Sequence, residues 1–313
     1  MLISILIPCF NAERWIAGAI DSALAQTWPH KEVIVVDDGS TDGSVEIIRS
    51  YGDRIRWEAR AHAGANPTRN RLLELASGEW LQYLDADDYL LPEKVEKYAR
   101  SLNDRDDTDI LYGPATLELW SGGSVHREIT PIPEPRDPWI LLVRWYLPQT
   151  GAPLWRKQAI VDVGGWKPDQ PCAQEHELYL RLLIGGKRFT YQPENGAVYR
   201  YWGTSTISRR DNPETRRRRL EVLDRAEEFL RTTNALSAER LHAINVTRFS
   251  TARLAWHDDR DEARAIMSAV SKSEPGFVPS GPAAPPRYQF LYRWLGFDAS
   301  EQLAHWFRKG RLS

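Results

Sequence analysis

The chain has 313 residues, of which 42% are hydrophobic and 27% charged, a balance that suits a soluble globular protein and is too apolar for disorder. Its formal net charge of -2 gives no general attraction to nucleic acid or acidic lipid, so no nucleic-acid partner is expected. Two cysteines, Cys9 and Cys172, are too few for a disulfide framework or a zinc site. No stretch approaches the ~18 consecutive apolar residues of a membrane span, and Met1 to Pro8 reads as a first strand rather than a secretory signal. A cytoplasmic, soluble chain is expected, one able to visit the inner face of a membrane as a peripheral protein.

Residues 1–112 alternate strand and helix patterns. An apolar run over Ile3 to Ile7 meets a turn at Pro8-Cys9-Phe10-Asn11. Trp15, Ile16, Ala19, Ile20, Ala23 and Leu24 then recur at helical spacing, with Asn11 as a cap candidate. The β-branched run Val33 to Val36 suits a central parallel strand, and it ends in Asp37-Asp38-Gly39-Ser40-Thr41-Asp42 before a helix through Val45, Ile47 and Ile48. A strand near Ile55 to Trp57 precedes a helix around Arg69 to Ala76, closed by Gly78. The run Trp80 to Leu84 reads as a buried strand and leads into Asp85-Ala86-Asp87-Asp88. This alternation predicts an α/β fold with a doubly wound, mostly parallel sheet, whose ligands bind where the strands end. Both acidic clusters fall at such ends.

Three carboxylates in four residues repel one another unless a cation or hydrogen-bond donors offset them. Mg²⁺ or Mn²⁺ would do so, since these ions take one or two carboxylates and fill their shells with phosphate and water. A solvated acidic turn is the competing explanation of the segment alone. Residues 113–210 are mixed: prolines at 131, 133, 135 and 138, short strand-like pieces, and a helix from Gln174 to Ile184. Residues 211–313 read as a helical C-terminal extension, with Arg216 to Arg219 on a solvated helix face and a proline-rich joint from Pro279 to Pro286.

Taken in order, Ile5-Leu6-Ile7-Pro8-Cys9-Phe10-Asn11, Val35-Val36-Asp37-Asp38-Gly39-Ser40-Thr41-Asp42, Thr68-Arg69-Asn70, Ala76-Ser77-Gly78-Glu79, Asp85-Ala86-Asp87-Asp88 and Gly164-Gly165-Trp166 resemble the family 2 glycosyltransferases of the GT-A fold. The resemblance runs from residue 2 to about 208 and leaves the last hundred residues unmatched. It implies a catalytic domain over 1–210, divided into a nucleotide-binding half (1–112) and an acceptor-binding half (113–210). The implied partners are a nucleotide-sugar donor, a UDP-sugar first, and a saccharide or lipid-linked acceptor, in polysaccharide biosynthesis of the cell envelope.

Roles follow from the same resemblance. Pro8, Phe10 and Asn11 would border the nucleotide base and Asp38 would accept a hydrogen bond from it. Arg69 would stand near the diphosphate. Asp85 and Asp87 would hold Mn²⁺ or Mg²⁺, with Asp87 the direct ligand and Asp88 behind it. Core packing fits Phe10 equally well, and a surface salt bridge is the alternative for Arg69.

An inverting transferase needs a carboxylate to take the acceptor proton. Leu178-Tyr179-Leu180-Arg181 sets Glu175 on the family's base position, where Gln174 replaces an acid and Glu replaces Asp. His176 and Glu177 compete for the role, and helix geometry lets only one of the three face the site. A favourable charge at a helix N-terminus would also explain Glu175. Trp202 stands where many relatives have a histidine, in a loop with Gly203-Thr204-Ser205 that often closes over the diphosphate. It cannot ligate a metal; stacking on a sugar and burial in a satellite core both suit it. Arg200 is able to hold phosphate. Trp166, His176 and Trp202 are acceptor-contact candidates, although each of the thirteen tryptophans is individually more at home in a core.

The tail, Tyr288 to Leu295 and Leu303 to Lys309, mixes aromatics with bases. That chemistry serves a helix lying at a membrane interface or packing against protein. Two other functions stay open: a non-catalytic sugar-nucleotide binder, or a nucleotidyltransferase that makes the sugar nucleotide. The second would want a glycine-rich basic first loop, which Pro8 to Asn11 does not supply. Donor sugar, acceptor and oligomeric state are left open.

Overall fold

The computed structural model describes residues 1–102, 107–121, 123–202 and 212–309, with side chains to 306. Two compact units emerge: Met1–Pro138 with Trp145–Ser208, and Trp139–Arg144 with Arg209–Ser313.

In the first unit the strands are β1 (Ile3–Cys9), β2 (Lys31–Asp37), β3 (Arg56–Ala59), β4 (Trp80–Tyr83), β5 (Tyr89–Leu90), β6 (Ile110–Tyr112), β7 (Ala115–Ser121), β8 (Ser124–Thr130), β9 (Leu154–Arg156), β10 (Phe189–Tyr191) and β11 (Ala197–Trp202). Its helices are α1 (Ile16–Leu24), α2 (Ser44–Ser50), α3 (Ala65–Leu75), α4 (Lys94–Leu102), α6 (Lys157–Asp162) and α7 (Gln174–Ile184), whereas α5 (Pro138–Val143) belongs from Trp139 onward to the second unit. A seven-stranded sheet has the order β10-β6-β9-β4-β1-β2-β3. Parallel pairing puts Ile5 opposite Val33 and Gln82, so the ends of β1, β2 and β4 share one rim. All five residues Val33 to Asp37 are buried, as both faces of a helix-covered parallel sheet require. The core gathers Ile3, Ile5 and Ile7 with Ile16, Ile20, Val35 and Ile48.

The sequence reading did not separate a second, four-stranded sheet of order β5-β11-β7-β8. Its β7–β8 hairpin turns through Gly123 at φ +82. Strand β9 also departs from a parallel reading, because it pairs antiparallel with both β4 and β6. Asn11 does not cap α1, whose N-cap is Trp15; it holds φ 48 and accepts from the Thr41 amide at 2.8 Å.

The second unit holds α8 (Pro213–Thr232), α9 (Ala238–Ala255), α10 (Arg260–Ser273) and α11 (Pro286–Lys309). Asn212, Ser237 and Asp259 cap the first three by accepting backbone N–H bonds. Phe249, Ala252, Trp256, Met267, Val270 and Tyr288 form its core. The arginine run is not simply a solvated face. Arg217 is half-exposed, but Arg216 is 1% exposed and donates to Asp258 at 3.0 Å and Glu262 at 3.2 Å. Those carboxylates lie on the far side of α9 in sequence, so the local charge pattern could not show them.

Candidate active site

A cleft of about 700 Å³ opens at the shared strand rim and is lined by the Pro8-to-Ala12 turn, Asp38, His62, Arg69, Asp85, Asp87, Gln174 and Trp202 among others. One wall of it begins at β2. Asp37 accepts from the Gly39 and Ser40 amides at 3.1 and 3.0 Å, which folds the chain into the next turn. Gly39 sits there at φ +78, and a Cβ would come 2.8 Å from the His62 nitrogen, so only glycine fits without a shift. Asp38 accepts from Ala63 and Gly64 at 3.0 and 2.8 Å and lies 2.9 Å from His62 Nδ1.

Phe10 is not a core residue. It is 46% exposed and stacks on the His62 ring with centroids 4.2 Å apart. His62 is a cleft residue that the sequence reading missed, because a lone histidine in a loop carries no motif. Cys9 also lines the cleft, and burial, with the charge of Asp37 next, pushes its thiol up to about 12, leaving it protonated and inert.

Arg69 ties the two halves of the cleft together. It is buried on α3 rather than paired on the surface, and donates to Asp85 at 2.9 Å and to Gln174 at 2.7 Å. Its guanidinium lies 5.0 Å from the Trp166 ring centroid. Trp166 is fully buried against Tyr83 and Trp155, so it props Arg69 and does not present a face to an acceptor. The Gly164-Gly165-Trp166 turn is itself clamped by Asn70, which exchanges two 2.7 Å bonds with the Trp166 backbone. Both glycines have positive φ, and a Cβ on Gly165 would meet Asn70 Oδ1 at 2.7 Å.

The carboxylate turn follows β4. Burial, then the charge of Asp85, raises the Asp87 carboxyl above its ordinary range; burial and both neighbours raise Asp88 well above it. Asp88 accepts the Arg200 amide at 2.8 Å and so joins the turn to β11. Arg200 does not line the cleft. Its guanidinium lies 4.5 Å from Tyr89 and 5.2 Å from Trp15 and pairs with buried Glu118 at 3.5 Å. Arg200 therefore braces the turn from behind, and phosphate contact is not its position. Trp202, 37% exposed, lines the cleft and donates its indole N–H to Asp87 at 3.3 Å. The adjoining Gly203 to Ser205 lies outside the described residues.

Among the described residues no three His, Cys, Asp or Glu side chains are grouped to hold a metal. Two acids, Asp85 and Asp87, remain. A half-buried pair of like charges only partly offset by Arg69 suits a hard cation that completes its shell with phosphate and water.

At the α7 end, Gln174 reaches the cleft while Glu175 stands beside it, 3.6 Å from His176 Nδ1. Burial pushes the Glu175 carboxyl up, but His176, the helix-end amide and Arg69 together hold it below its ordinary value. Glu177 is buried and bonded to Arg181 at 2.8 Å, which withdraws it from the competition. His176 is buried and stacked on Trp145 at 4.3 Å and 8°; an acceptor does not meet this ring.

Residues 4–151 match the family model described as glycosyl transferase family 2. An uncharacterized glycosyltransferase of Rickettsia felis is 32% identical over 189 residues, 58% of this chain and 31% of that one. The uncharacterized glycosyltransferase YibD of Escherichia coli is 39% identical over 97 residues, 30% of this chain and 28% of its own. The chain thus spans about a third of the length of these curated relatives. The crystal structure of S. aureus TarS 1–349 in complex with UDP-GlcNAc superposes with a TM-score of 0.62 at 16% identity, covering 99% of this chain and 92% of that one. The mannosyltransferase PcManGT of Pyrobaculum calidifontis, in complex with GDP-Man and Mn²⁺, gives 0.52 at 16% identity, with 96% and 82% covered. The structural likeness therefore extends through the helical extension, which the sequence motifs did not reach. Motifs and matches agree that residues 4–151 form a glycosyl transferase family 2 domain, and the topology and structural likeness give the chain the GT-A fold.

Proposed function

We propose that the chain transfers a sugar, with inversion, from a nucleotide-sugar to a hydroxyl of a saccharide or lipid-linked saccharide. The observation that carries this is the convergence on one cleft of Asp38, Arg69, Asp85, Asp87 and the first turn of α7. The base would lie against Phe10 and Pro8 with Asp38 and Asn11 at its edge. A UDP-sugar is the donor put forward, since TarS 1–349 was solved with UDP-GlcNAc; GDP-Man in PcManGT is the second candidate. Mn²⁺ or Mg²⁺, held by Asp87 and Asp85, would supply electrostatic stabilisation of the departing diphosphate.

Arg69 would add a fixed cation on the same side. Glu175, held ionised at neutral pH by its surroundings, would take the proton from the acceptor hydroxyl as that oxygen attacks the anomeric carbon. The carbon–oxygen bond to the diphosphate breaks in the same displacement, and the nucleoside diphosphate leaves with the electron pair.

The test is UDP release from a panel of nucleotide-sugars, with and without acceptor, in Mn²⁺. Loss of a general base costs about 10²–10⁴ in rate. Glu175→Gln should therefore lower transfer by at least about a hundredfold while UDP binding is kept. Turnover of that variant at the parent rate would remove Glu175 from the mechanism. Binding without transfer in the parent chain, with any donor, would favour a non-catalytic sugar-nucleotide binder.

A further inference from the structure

Helix α11 has two unlike sides before Gly296, at φ +73, interrupts it. Tyr288 and Tyr292 pack inward on Phe249, with centroids 5.7 and 5.9 Å away. Phe290 and Trp294, one turn apart, stand 65% and 77% exposed. Exposed Arg287 and Arg293 flank them. Successive helix positions turn by about 100°, so these four outward residues fall within an arc of about 120° and the two tyrosines lie opposite.

The charge on this face is one-sided. From Pro275 to Phe297 the sequence contains no Asp or Glu. Elsewhere in the same unit arginines are paired: Arg253 with Glu301, Arg264 with Asp298 at 3.0 Å. Among the described residues neither Arg287 nor Arg293 has an acidic partner.

We propose that this face of α11 docks on an anionic phospholipid surface. Phe290 and Trp294 would enter the boundary between headgroups and acyl chains, and Arg287 and Arg293 would meet the phosphates. A second copy of the chain fits less well. A two-fold interface presents one patch to itself, and here it would set arginine against arginine with no acid to receive either. The overall charge of -2 does not oppose docking, because the lipid field is felt within a Debye length of about 8 Å. The inference goes beyond the transfer reaction and does not depend on the donor or the base.

The full chain should float with vesicles of phosphatidylcholine mixed with phosphatidylglycerol, and less so as salt is added. Two surface cations contribute about thirtyfold to such partitioning, so Arg287→Gln with Arg293→Gln should weaken binding to the mixed vesicles by about that factor. Phe290→Ser with Trp294→Ser should abolish it, with UDP release from soluble substrates unchanged in both double variants. Failure of the parent chain to bind the mixed vesicles, or equal binding by parent and arginine variant, overturns the proposal. So does light scattering that shows a dimer which Phe290→Ser with Trp294→Ser dissociates. Should the aromatic variant not fold, the arginine variant alone decides.

Discussion

The Arg69 guanidinium spends its donors on Asp85, Gln174 and, at 3.3 Å, Asn66, while its flat face lies over Trp166. A lysine there keeps the charge but has a compact head that cannot reach all three acceptors or stack in the same way. Buried hydrogen bonds to a charged group are worth about 1.5–3 kcal/mol. Arg69→Lys should therefore lower kcat/KM for transfer by about one to two orders of magnitude, and Arg69→Met by more. Steady-state UDP release measures both, and a lysine variant at the parent rate would show that the fork geometry is dispensable. Residue by residue, the sequence located the acids Asp38, Asp85 and Asp87, which all line the cleft, because their clustering at strand ends is a local pattern. It carried the aromatics poorly. Trp166, an acceptor candidate, is buried, and Phe10, for which cleft and core were equally open, lines the cleft, since burial of one ring is decided by side chains many residues away: Tyr83 and Trp155 for Trp166, His62 for Phe10.

Elements with a strong period were readable and elements without one were not. Helix α7 was expected over Gln174 to Ile184 and is found there, because its apolar face repeats every three to four residues. Strand β8, Ser124–Thr130, is exposed at every position, so no alternation marks it; β9 has three residues and an antiparallel role that no local pattern encodes. The junction of β4 with α4 holds a feature equally invisible from sequence. Lys94, the first residue of α4, is buried, donates to Gln82 of β4 and lies 4.2 Å from the Tyr98 ring centroid, with no carboxylate partner among the described residues. Burial holds its pKa well below that of an ordinary lysine. Between that lowered value and the ~10.4 of the unfolded chain, the unfolded state binds the extra proton. Stability should therefore rise with pH across this window, by up to about 1.4 kcal/mol per pH unit from this group. Lys94→Met should flatten the alkaline rise in denaturant-unfolding free energy; an unchanged slope would mean the amine is solvated.

At the scale of the molecule, each of the two units owns a hydrophobic core, one built on the parallel sheet and one on Phe249 and its neighbours. The cleft is lined entirely by residues of the first. Ligand that binds only folded protein stabilises what it binds, by about 2.7 kcal/mol at a hundredfold excess over Kd. Calorimetry should thus show a transition that UDP with Mn²⁺ moves upward and a second that it leaves in place. Arg216 identifies the second. Replacing it with Met strands Asp258 and Glu262, and since Asp258 is half-exposed the expected cost is about 1–3 kcal/mol, below the 3–5 of a fully buried pair. The prediction is that Arg216→Met lowers only the transition that ligand does not touch. If nucleotide and the Arg216 substitution shift the same single transition, the two cores melt as one, and the helical extension is then energetically part of the first unit.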